Sequence, residues 1–236
     1  MSLLAQDSLA RVQGEPHPGD RARIPESEPR RKRMPPRVAI LRSMSQLVVP
    51  VIYGSVRTER QGIRAARFFV NELRGRGMNG VLVDPLEKQL PLLDRMYKEY
   101  PKGEAPPVLE ELAELYRSAD GFVIVSGEYN RGLPPALKNT LDYFLEEYYW
   151  RPAAIVSYSG GRWGGTRASA QLRSVLGEMG MVTIPTDFPI ANVGDAFSEN
   201  GEPSDPKMRE QAAPLLDEFL WYVNALRTAR LAGVPY

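Results

Sequence analysis

A short polar loop at residues 53–62 combines a hydroxyl group with two arginines, a set of side chains suited to holding a phosphate ester. The loop follows the apolar run 47–52, which is rich in β-branched residues and is typical of a buried strand. After Gly62 the apolar residues follow the spacing of one helix face. The guanidinium groups of Arg57 and Arg60 therefore stand near the free N–H groups and positive dipole of a helix start, where phosphate binds readily. An ordinary turn with solvated arginines is the alternative interpretation.

A second loop, residues 126–139, joins another apolar run to a helical pattern and suits a flat ring with polar edges. Asn130 can both donate and accept hydrogen bonds, and the glycines of the loop let backbone amides approach a ligand. The alternative is that Asn130 forms a turn and that Tyr129 packs in the protein. A third loop, residues 157–165, adds four glycines and an exposed-looking aromatic residue, Trp163. Those glycines suit either ligand-binding backbone donors or a tight turn.

Five apolar runs with strand character alternate with helical patterns, an order that predicts a parallel sheet covered by helices on both faces. The predicted strands are residues 47–52, 81–83, 122–125, 153–156 and 181–184. An irregular stretch is predicted at residues 185–206, before a last helix. This spacing fits the strand order 2-1-3-4-5, in which ligands bind beyond the carboxyl ends of the first and third strands. The loops that follow Ile52 and Val125 are therefore expected to meet.

The composition limits the chemistry that this chain can perform with its own side chains. The 236 residues include no cysteine and a single histidine, His17, in the N-terminal segment. We therefore predict no catalytic side chain and no metal site, and an enzyme of this kind would take its chemistry from a cofactor. A formal net charge of +1 gives no sign of nucleic-acid binding. No apolar stretch approaches the roughly 20 residues of a membrane helix, so no membrane partner is expected.

Residues 1–46 differ in composition from the rest of the chain, and we predict that they form a disordered leader to one domain at 47–236. They hold nine Lys and Arg against five Asp and Glu, with several prolines and no sustained periodicity. A basic patch at 29–33 leaves a nucleic-acid or localisation role open. Met44, just before the first strand, is a possible biological start. The lack of cysteine fits a reducing cytoplasm, which is the location we expect.

Three motifs occur in chain order, and together they resemble those of the NADPH-dependent FMN reductase family. They are Gly54-Ser55-x-Arg57 with Gly62, then Glu128-Tyr129-Asn130 through Pro134 to Leu137-Lys138-Asn139, and then Ser159-Gly160 with Gly164-Gly165. The family includes flavodoxin-like quinone, azo-dye and chromate reductases. The resemblance spans roughly residues 47–185. It implies a flavodoxin-like three-layer α/β sandwich around the five-stranded parallel sheet.

The resemblance also implies which residues bind FMN. The phosphate would be held by the first loop, through Ser55, Arg57, Arg60, Gln61 and Gly62. The isoalloxazine edge would be lined by the second loop, through Glu128, Tyr129, Asn130, Arg131 and Gly132. The other side would be closed by the third loop, through Ser159, Gly160 and Gly161. The residues by themselves predict a phosphate and a planar ring, and the resemblance identifies the ring as flavin.

On this resemblance we expect an FMN-dependent oxidoreductase that uses NADPH or NADH. Electrons would pass through FMN to a small-molecule acceptor such as a quinone, a flavin, an azo dye or a metal oxyanion. One alternative is an arsenic-resistance-type flavin reductase, a branch of the family with N- and C-terminal extensions. Another is a non-catalytic flavodoxin-like electron carrier or sensor, although a net charge near zero argues against a carrier that docks on basic partners.

An aromatic run at residues 143–150 predicts that subunits assemble. The run follows the helix of the second loop and is richer in aromatic rings than an exposed helix end should be. We expect a homodimer or a homotetramer, with Tyr148, Tyr149 or Trp150 at an interface beside the flavin. The alternative is that all these rings pack inside the monomer.

Overall fold

The computed structural model describes residues 46–236. The predictions of a disordered leader at residues 1–46 and of a start at Met44 concern residues that, apart from Gln46, lie outside this range. Residues 46–236 hold all three loops on which the resemblance depends.

A five-stranded parallel sheet forms the centre of the described domain, in the order β2-β1-β3-β4-β5. The strands are β1 Val48–Tyr53, β2 Asn79–Val83, β3 Phe122–Gly127, β4 Pro152–Tyr158 and β5 Val182–Ile190. The order and the parallel direction confirm the predicted α/β fold. Strands β3 and β4 are buried along their whole length, as expected for apolar strands covered on both faces.

Helices cover both faces of the sheet and make the three layers of the predicted sandwich. They are α1 Gly62–Gly75, α2 Pro85–Lys88, α3 Pro107–Ser118, α4 Pro135–Asp142, α5 Thr166–Glu178, α6 Val193–Ala196 and α7 Lys207–Ala232. One core lies under α1 and α7, and the other lies under α3, α4 and α5. Helices α3 and α4 each begin with a proline, because the first N–H of a helix needs no partner within the helix.

The fifth strand is longer than predicted, because residues 185–190, expected to be irregular, continue it to Ile190. The two prolines in this stretch are compatible with a strand here, since β5 lies at the sheet edge and pairs only with β4. Pro185 lies in an irregularity where the register with β4 shifts, and Pro189 pairs with Ser157. Short helix α6 also falls within the stretch predicted to be irregular.

The aromatic run after α4 packs largely inside the domain. Helix α4 ends at Asp142, and a short 3-10 turn follows at Glu146–Tyr148. The ring of Tyr148 is fully buried, 5.3 Å from the ring centroid of Tyr116 and 5.2 Å from that of Phe122. Tyr148 was therefore wrongly predicted as an interface residue, because the apolar core of α3 and β3 takes up its ring.

Candidate functional site

The first and second loops meet at the carboxyl edge of the sheet. The hydroxyl groups of Ser55 and Tyr129 lie 3.0 Å apart, although 74 residues separate them in the chain. This contact arises because β1 and β3 are neighbours, with Tyr53 paired with Val125 and Gly54 N–H donating to the carbonyl of Val125 at 3.1 Å. The predicted meeting of these two loops at the switch point is confirmed.

One guanidinium group of the first loop makes no hydrogen bond or ion pair within residues 46–236. Ser55 is buried, and its Oγ accepts a bond from the backbone N–H of Arg57 at 3.4 Å, which closes a local turn. The side chain of Arg57 is exposed and has no acidic partner within residues 46–236. A hydroxyl group and an unpaired guanidinium group at a helix start are groups that bind a phosphate.

The guanidinium group of Arg60, by contrast, is bonded to other groups of the protein. Its Nη2 donates to Oδ2 of Asp84 at 2.7 Å, and its Nη1 also donates to the carbonyl of Ser55 at 3.3 Å. Only 15% of the Arg60 side chain and 2% of the Asp84 side chain are exposed. The hydrogen bond to Asp84 is the main reason that the pKa of Arg60 is raised. In this structure Arg60 braces the loop, whereas the resemblance implied that it contacts the FMN phosphate.

The last two residues of the first loop serve different purposes. The Oε1 atom of Gln61 is buried and has no hydrogen-bond partner among the described residues. A buried acceptor of this kind suits a ligand hydroxyl, or a phosphate if the amide is turned to present its N–H₂ group. A Cβ atom on Gly62 would lie 2.1 Å from the ring of Tyr158, so close packing by itself requires this glycine. The close approach at Gly62 is to the ring of Tyr158.

The second loop contains a tight two-residue turn with a strained backbone. Tyr129 and Gly132 exchange both backbone hydrogen bonds, at 3.0 and 2.9 Å. Between them, Asn130 and Arg131 have φ angles of 50° and 69°, in the left-handed region. Asparagine tolerates this region well, whereas arginine pays a steric cost there. Strain of this kind is concentrated at functional sites, and here it holds Arg131 exposed at the edge of the site.

Glu128 ties the second loop to the start of α5, the helix that follows the third loop. Its Oε2 accepts hydrogen bonds from the backbone N–H groups of Arg167 at 3.1 Å and Ala168 at 3.4 Å, at the start of α5. Its Oε1 also lies 3.3 Å from Nη1 of Arg167. This carboxylate is therefore engaged at the positive end of a helix dipole, and its contribution to the site is to position the loops.

The third loop leaves an open stretch of backbone beside the site. Ser159 holds the turn, with its Oγ donating to the carbonyl of Gly161 at 2.8 Å. Gly160 and Gly161 are exposed, and a Cβ atom on either would have no neighbour within 4 Å. Packing in the described protein does not require these two glycines, in contrast to Gly165, whose Cβ would lie 2.7 Å from the carbonyl oxygen of Tyr158. Glycine at such positions allows a ligand to approach the backbone closely.

Two buried tyrosines beneath the loops were missed by the sequence reasoning. The hydroxyl of Tyr158 donates to that of Tyr53 at 3.2 Å, and their ring centroids lie 6.2 Å apart. Burial raises the pKa of Tyr53, and raises that of Tyr158 well above its usual value, so both remain protonated at neutral pH. Each tyrosine ends a strand that leads into a polar loop, and that position was the available signal. Asp84 was also missed, although it directly follows β2 and so occupies a similar position.

An apolar cavity of about 240 Å³ lies beside the first loop. It is lined by residues that include Val56, Pro85, Leu90, Leu92 and Pro135. Two of them are large exposed apolar side chains, Val56 at 48% and Leu92 at 86%. The cavity borders the loop that carries Ser55 and offers an apolar surface to a flat molecule.

The residues of the three loops fit FMN. In the part of the chain that the structure describes, Arg57 supplies a guanidinium group without an acidic partner and Gln61 has a buried oxygen without a hydrogen-bond partner. The third loop adds exposed glycine backbone. Within residues 46–236, no group of three or more His, Cys, Asp and Glu side chains is placed to hold a metal ion. In that same range, no helix combines the length and apolar character that a membrane span requires.

Comparison with known proteins identifies the family. The family model described as NADPH-dependent FMN reductase matches residues 48–195. The chain belongs to the NADPH-dependent FMN reductase family. It is 31% identical over 194 residues to a quinone reductase of Pseudomonas putida, covering 78% of this chain and 99% of the relative. It is also 31% identical over 164 residues to an NAD(P)H-dependent FMN reductase of a Nectria species, covering 64% of this chain and 79% of the relative.

A solved structure supports the fold of this FMN reductase. FerB from Paracoccus denitrificans, described as a flavoenzyme NAD(P)H:(acceptor) oxidoreductase, matches with a TM-score of 0.62. The identity is 23%, and the match covers 76% of this chain and 98% of FerB. Family membership confirms the predicted class, an oxidoreductase that uses FMN and NAD(P)H. The arsenic-resistance and electron-carrier alternatives are not favoured.

Proposed function

We propose that the three loops bind FMN at the carboxyl edge of the sheet and that this edge is the active site. Bound FMN would supply the redox chemistry, taking a hydride from NAD(P)H and giving electrons to a second acceptor. The observation that carries this proposal is the 3.0 Å contact between Ser55 and Tyr129. It joins the first loop, which would bind the phosphate, to the second loop, which would line the ring. That contact lies at the switch point of the sheet, where such folds bind their ligands.

The phosphate end of the site would use the first loop. The guanidinium group of Arg57, the hydroxyl of Ser55 and the side chain of Gln61 would contact the phosphate and the adjoining chain of the cofactor. Backbone N–H groups at the start of α1 would add the positive end of a helix dipole. Arg60 would act indirectly, because its bond to the carbonyl of Ser55 fixes the path of the loop.

The ring end of the site would use the second and third loops. Tyr129, Asn130, Arg131 and Gly132 would line one edge of the ring, and Glu128 would hold that loop against α5. The bare backbone of the third loop, with Ser159, Gly160 and Gly161, would close the other side. Backbone N–H groups there would stabilise the negative charge that reduction places on the ring edge. Hydride transfer needs well-placed rings rather than an acidic or basic side chain, which agrees with a site that lacks histidine and cysteine.

The electron acceptor would be a flat small molecule, with quinones the first class to test. The apolar cavity beside the first loop supports this proposal, as does the similarity to the quinone reductase of Pseudomonas putida. Flavins, azo dyes and metal oxyanions are further acceptors to include in an assay. An open site that admits NAD(P)H and the acceptor in turn would give a ping-pong kinetic pattern.

The chain is further proposed to assemble as a homodimer or homotetramer and to work in the cytoplasm. Tyr149 and Trp150 remain as candidate interface residues, because both are only half-buried. Their rings pack against Tyr236, at centroid distances of 6.2 and 4.9 Å. Light scattering at micromolar concentration tests the assembly, and a mass near the 26.4 kDa of one chain would contradict it.

The decisive experiment is an absorption spectrum of the purified, FMN-incubated protein, together with turnover on NADPH and NADH with a quinone acceptor. The expected result is a bound flavin spectrum and acceptor-dependent oxidation of the dinucleotide. Tyr129→Phe should weaken FMN binding by about 3- to 10-fold, the scale of one neutral hydrogen bond, because it removes the hydroxyl that contacts Ser55. Tyr222→Phe, on α7, is the matched control. A protein that binds no FMN would contradict the proposed function.

A further inference from the structure

One exposed tryptophan and two arginines lie together at the end of the third loop and the start of α5. The side chain of Trp163 is 55% exposed. The guanidinium carbon of Arg162 lies 4.7 Å from the centroid of its ring, and that of Arg167 lies 5.3 Å from it. Arg162, Trp163 and Arg167 together form the Trp163 clamp. An exposed indole with two guanidinium groups beside it combines a flat apolar ring with positive charge, which suits an aromatic anion.

The Trp163 clamp is attached to the proposed FMN site. Arg167 contacts the ring of Trp163 and is also paired with Glu128, which directly precedes Tyr129. The exposed backbone at Gly160 and Gly161 lies between the end of β4 and the clamp. A long ligand that reaches the ring-binding loops can therefore extend over bare backbone toward the indole.

Unpartnered positive charge is concentrated at this edge of the sheet. Within residues 46–236, the guanidinium groups of four arginines make no hydrogen bond or ion pair: Arg57, Arg95, Arg131 and Arg162. The other arginines of this range have partners, among them Arg60 with Asp84. Three of the four unpaired groups stand on the three loops of the site. FMN carries one phosphate, which Arg57 would bind, so the charges of Arg131 and Arg162 point to a second anion.

The second anion must also offer a flat ring to the indole. NADPH meets both requirements, because its adenosine half carries a diphosphate, a purine ring and a 2′-phosphate. NADH has the same ring and diphosphate but lacks the 2′-phosphate. Arg162 suits the 2′-phosphate, since it has no acidic partner among residues 46–236, whereas Arg167 is already committed to Glu128.

We propose that Arg162 and Trp163 bind the adenosine 2′-phosphate end of NADPH and make the enzyme prefer NADPH to NADH. Trp163 stacks on the adenine, Arg162 pairs with the 2′-phosphate, and Arg167 holds the indole in place. This assignment rests on the proposed function, in which NAD(P)H reduces FMN at this edge.

The first test compares the two dinucleotides. Relative to wild type, Arg162→Ala should lower the ratio of kcat/KM for NADPH to that for NADH by about 10- to 100-fold, the scale of a charged hydrogen bond. Arg162→Lys should recover part of the ratio, because it keeps the charge but loses the two-point contact. Trp163→Ala should raise KM for both dinucleotides by about 5- to 10-fold, since both carry adenine.

The second test measures binding without turnover. Calorimetric titration of the FMN-loaded protein with adenosine 2′,5′-bisphosphate and with adenosine 5′-monophosphate isolates the adenosine end of the dinucleotide. Arg162→Ala should weaken the bisphosphate about 10- to 100-fold and should bring its affinity close to that of the monophosphate. The control variants are Trp221→Ala, which removes the 65% exposed indole of α7, and Arg95→Ala, which removes a guanidinium that lies over Tyr100 at 4.9 Å.

Several results would overturn the assignment. One is a wild-type enzyme that uses NADPH and NADH equally well, and another is an Arg162→Ala variant that loses both activities by the same factor. Loss of FMN from the Trp163→Ala or Arg162→Ala protein would show that the Trp163 clamp binds the flavin rather than NADPH. None of these results contradicts the proposed function, because the wild type would still bind FMN and oxidise the dinucleotide. A wild-type protein without FMN or without dinucleotide oxidation would overturn the proposed function and this assignment together.

Discussion

Arg57 and Arg60 lie three residues apart in one loop, and we predict that their alanine variants fail in different ways. The guanidinium of Arg57 is exposed and free of acidic partners in residues 46–236. Arg57→Ala should weaken FMN binding by about 1.5–3 kcal/mol, a factor of about 10 to 150 in Kd. The free energy of unfolding of the FMN-free protein should change by less than about 0.5 kcal/mol, because the exposed Arg57 guanidinium makes no hydrogen bond or ion pair within residues 46–236.

Arg60→Ala removes the cation from a buried carboxylate. The Asp84 side chain, only 2% exposed, would keep just the hydrogen bond that it accepts from the N–H of Leu86 at 3.0 Å. Breaking a fully buried ion pair costs about 3–5 kcal/mol. Because 15% of Arg60 is exposed and the Leu86 bond remains, we expect a loss of about 2–4 kcal/mol in the free energy of unfolding. FMN binding should weaken less than in Arg57→Ala, since Arg60 acts through the carbonyl of Ser55.

Two assays on the same proteins measure the loss of stability and the loss of FMN affinity separately. Urea unfolding of the FMN-free protein measures stability, and quenching of flavin fluorescence measures FMN affinity. The double variant Arg60→Ala/Asp84→Ala should be more stable than Arg60→Ala, because it leaves no unpaired buried charge. If Arg60→Ala unfolded at the wild-type urea concentration but lost FMN as severely as Arg57→Ala, the reasoning would be refuted, and Arg60 would be a phosphate ligand.

Local sequence patterns were enough to predict most of the fold. Apolar runs such as 122–125 mark strands that helices cover on both faces, so the strand order followed from their spacing. The extension of β5 through Pro185 and Pro189 could not be predicted in this way. Whether a proline fits a strand depends on which edge of the sheet its missing N–H faces, and that is a property of the tertiary structure.

The sequence located the site loops but could not tell ligand-facing side chains from those that hold the loops together. Arg57 and Arg60 look alike in sequence, and only the position of Asp84, 24 residues beyond Arg60, distinguishes them. Glu128 likewise caps a helix that begins 38 residues later in the chain, at Thr166. Such partners are long-range, so a motif identifies the loop without fixing the direction of each side chain.

Three other loop residues should respond to substitution in different ways. Gly62→Ala should lower the free energy of unfolding by about 1–3 kcal/mol, because its Cβ would lie 2.1 Å from Tyr158, and adding Tyr158→Leu should restore part of the loss. Glu128→Gln should cost about 0.5–1.5 kcal/mol in urea unfolding, since the charge at the start of α5 is lost. Arg131→Gly should raise the free energy of unfolding by about 0.5–1 kcal/mol, because glycine adopts a φ of 69° without the clash that arginine incurs. The same variant should turn over NAD(P)H more slowly, since it removes a cation from the edge of the site, and an unchanged stability would show that the turn at Arg131 stores no strain.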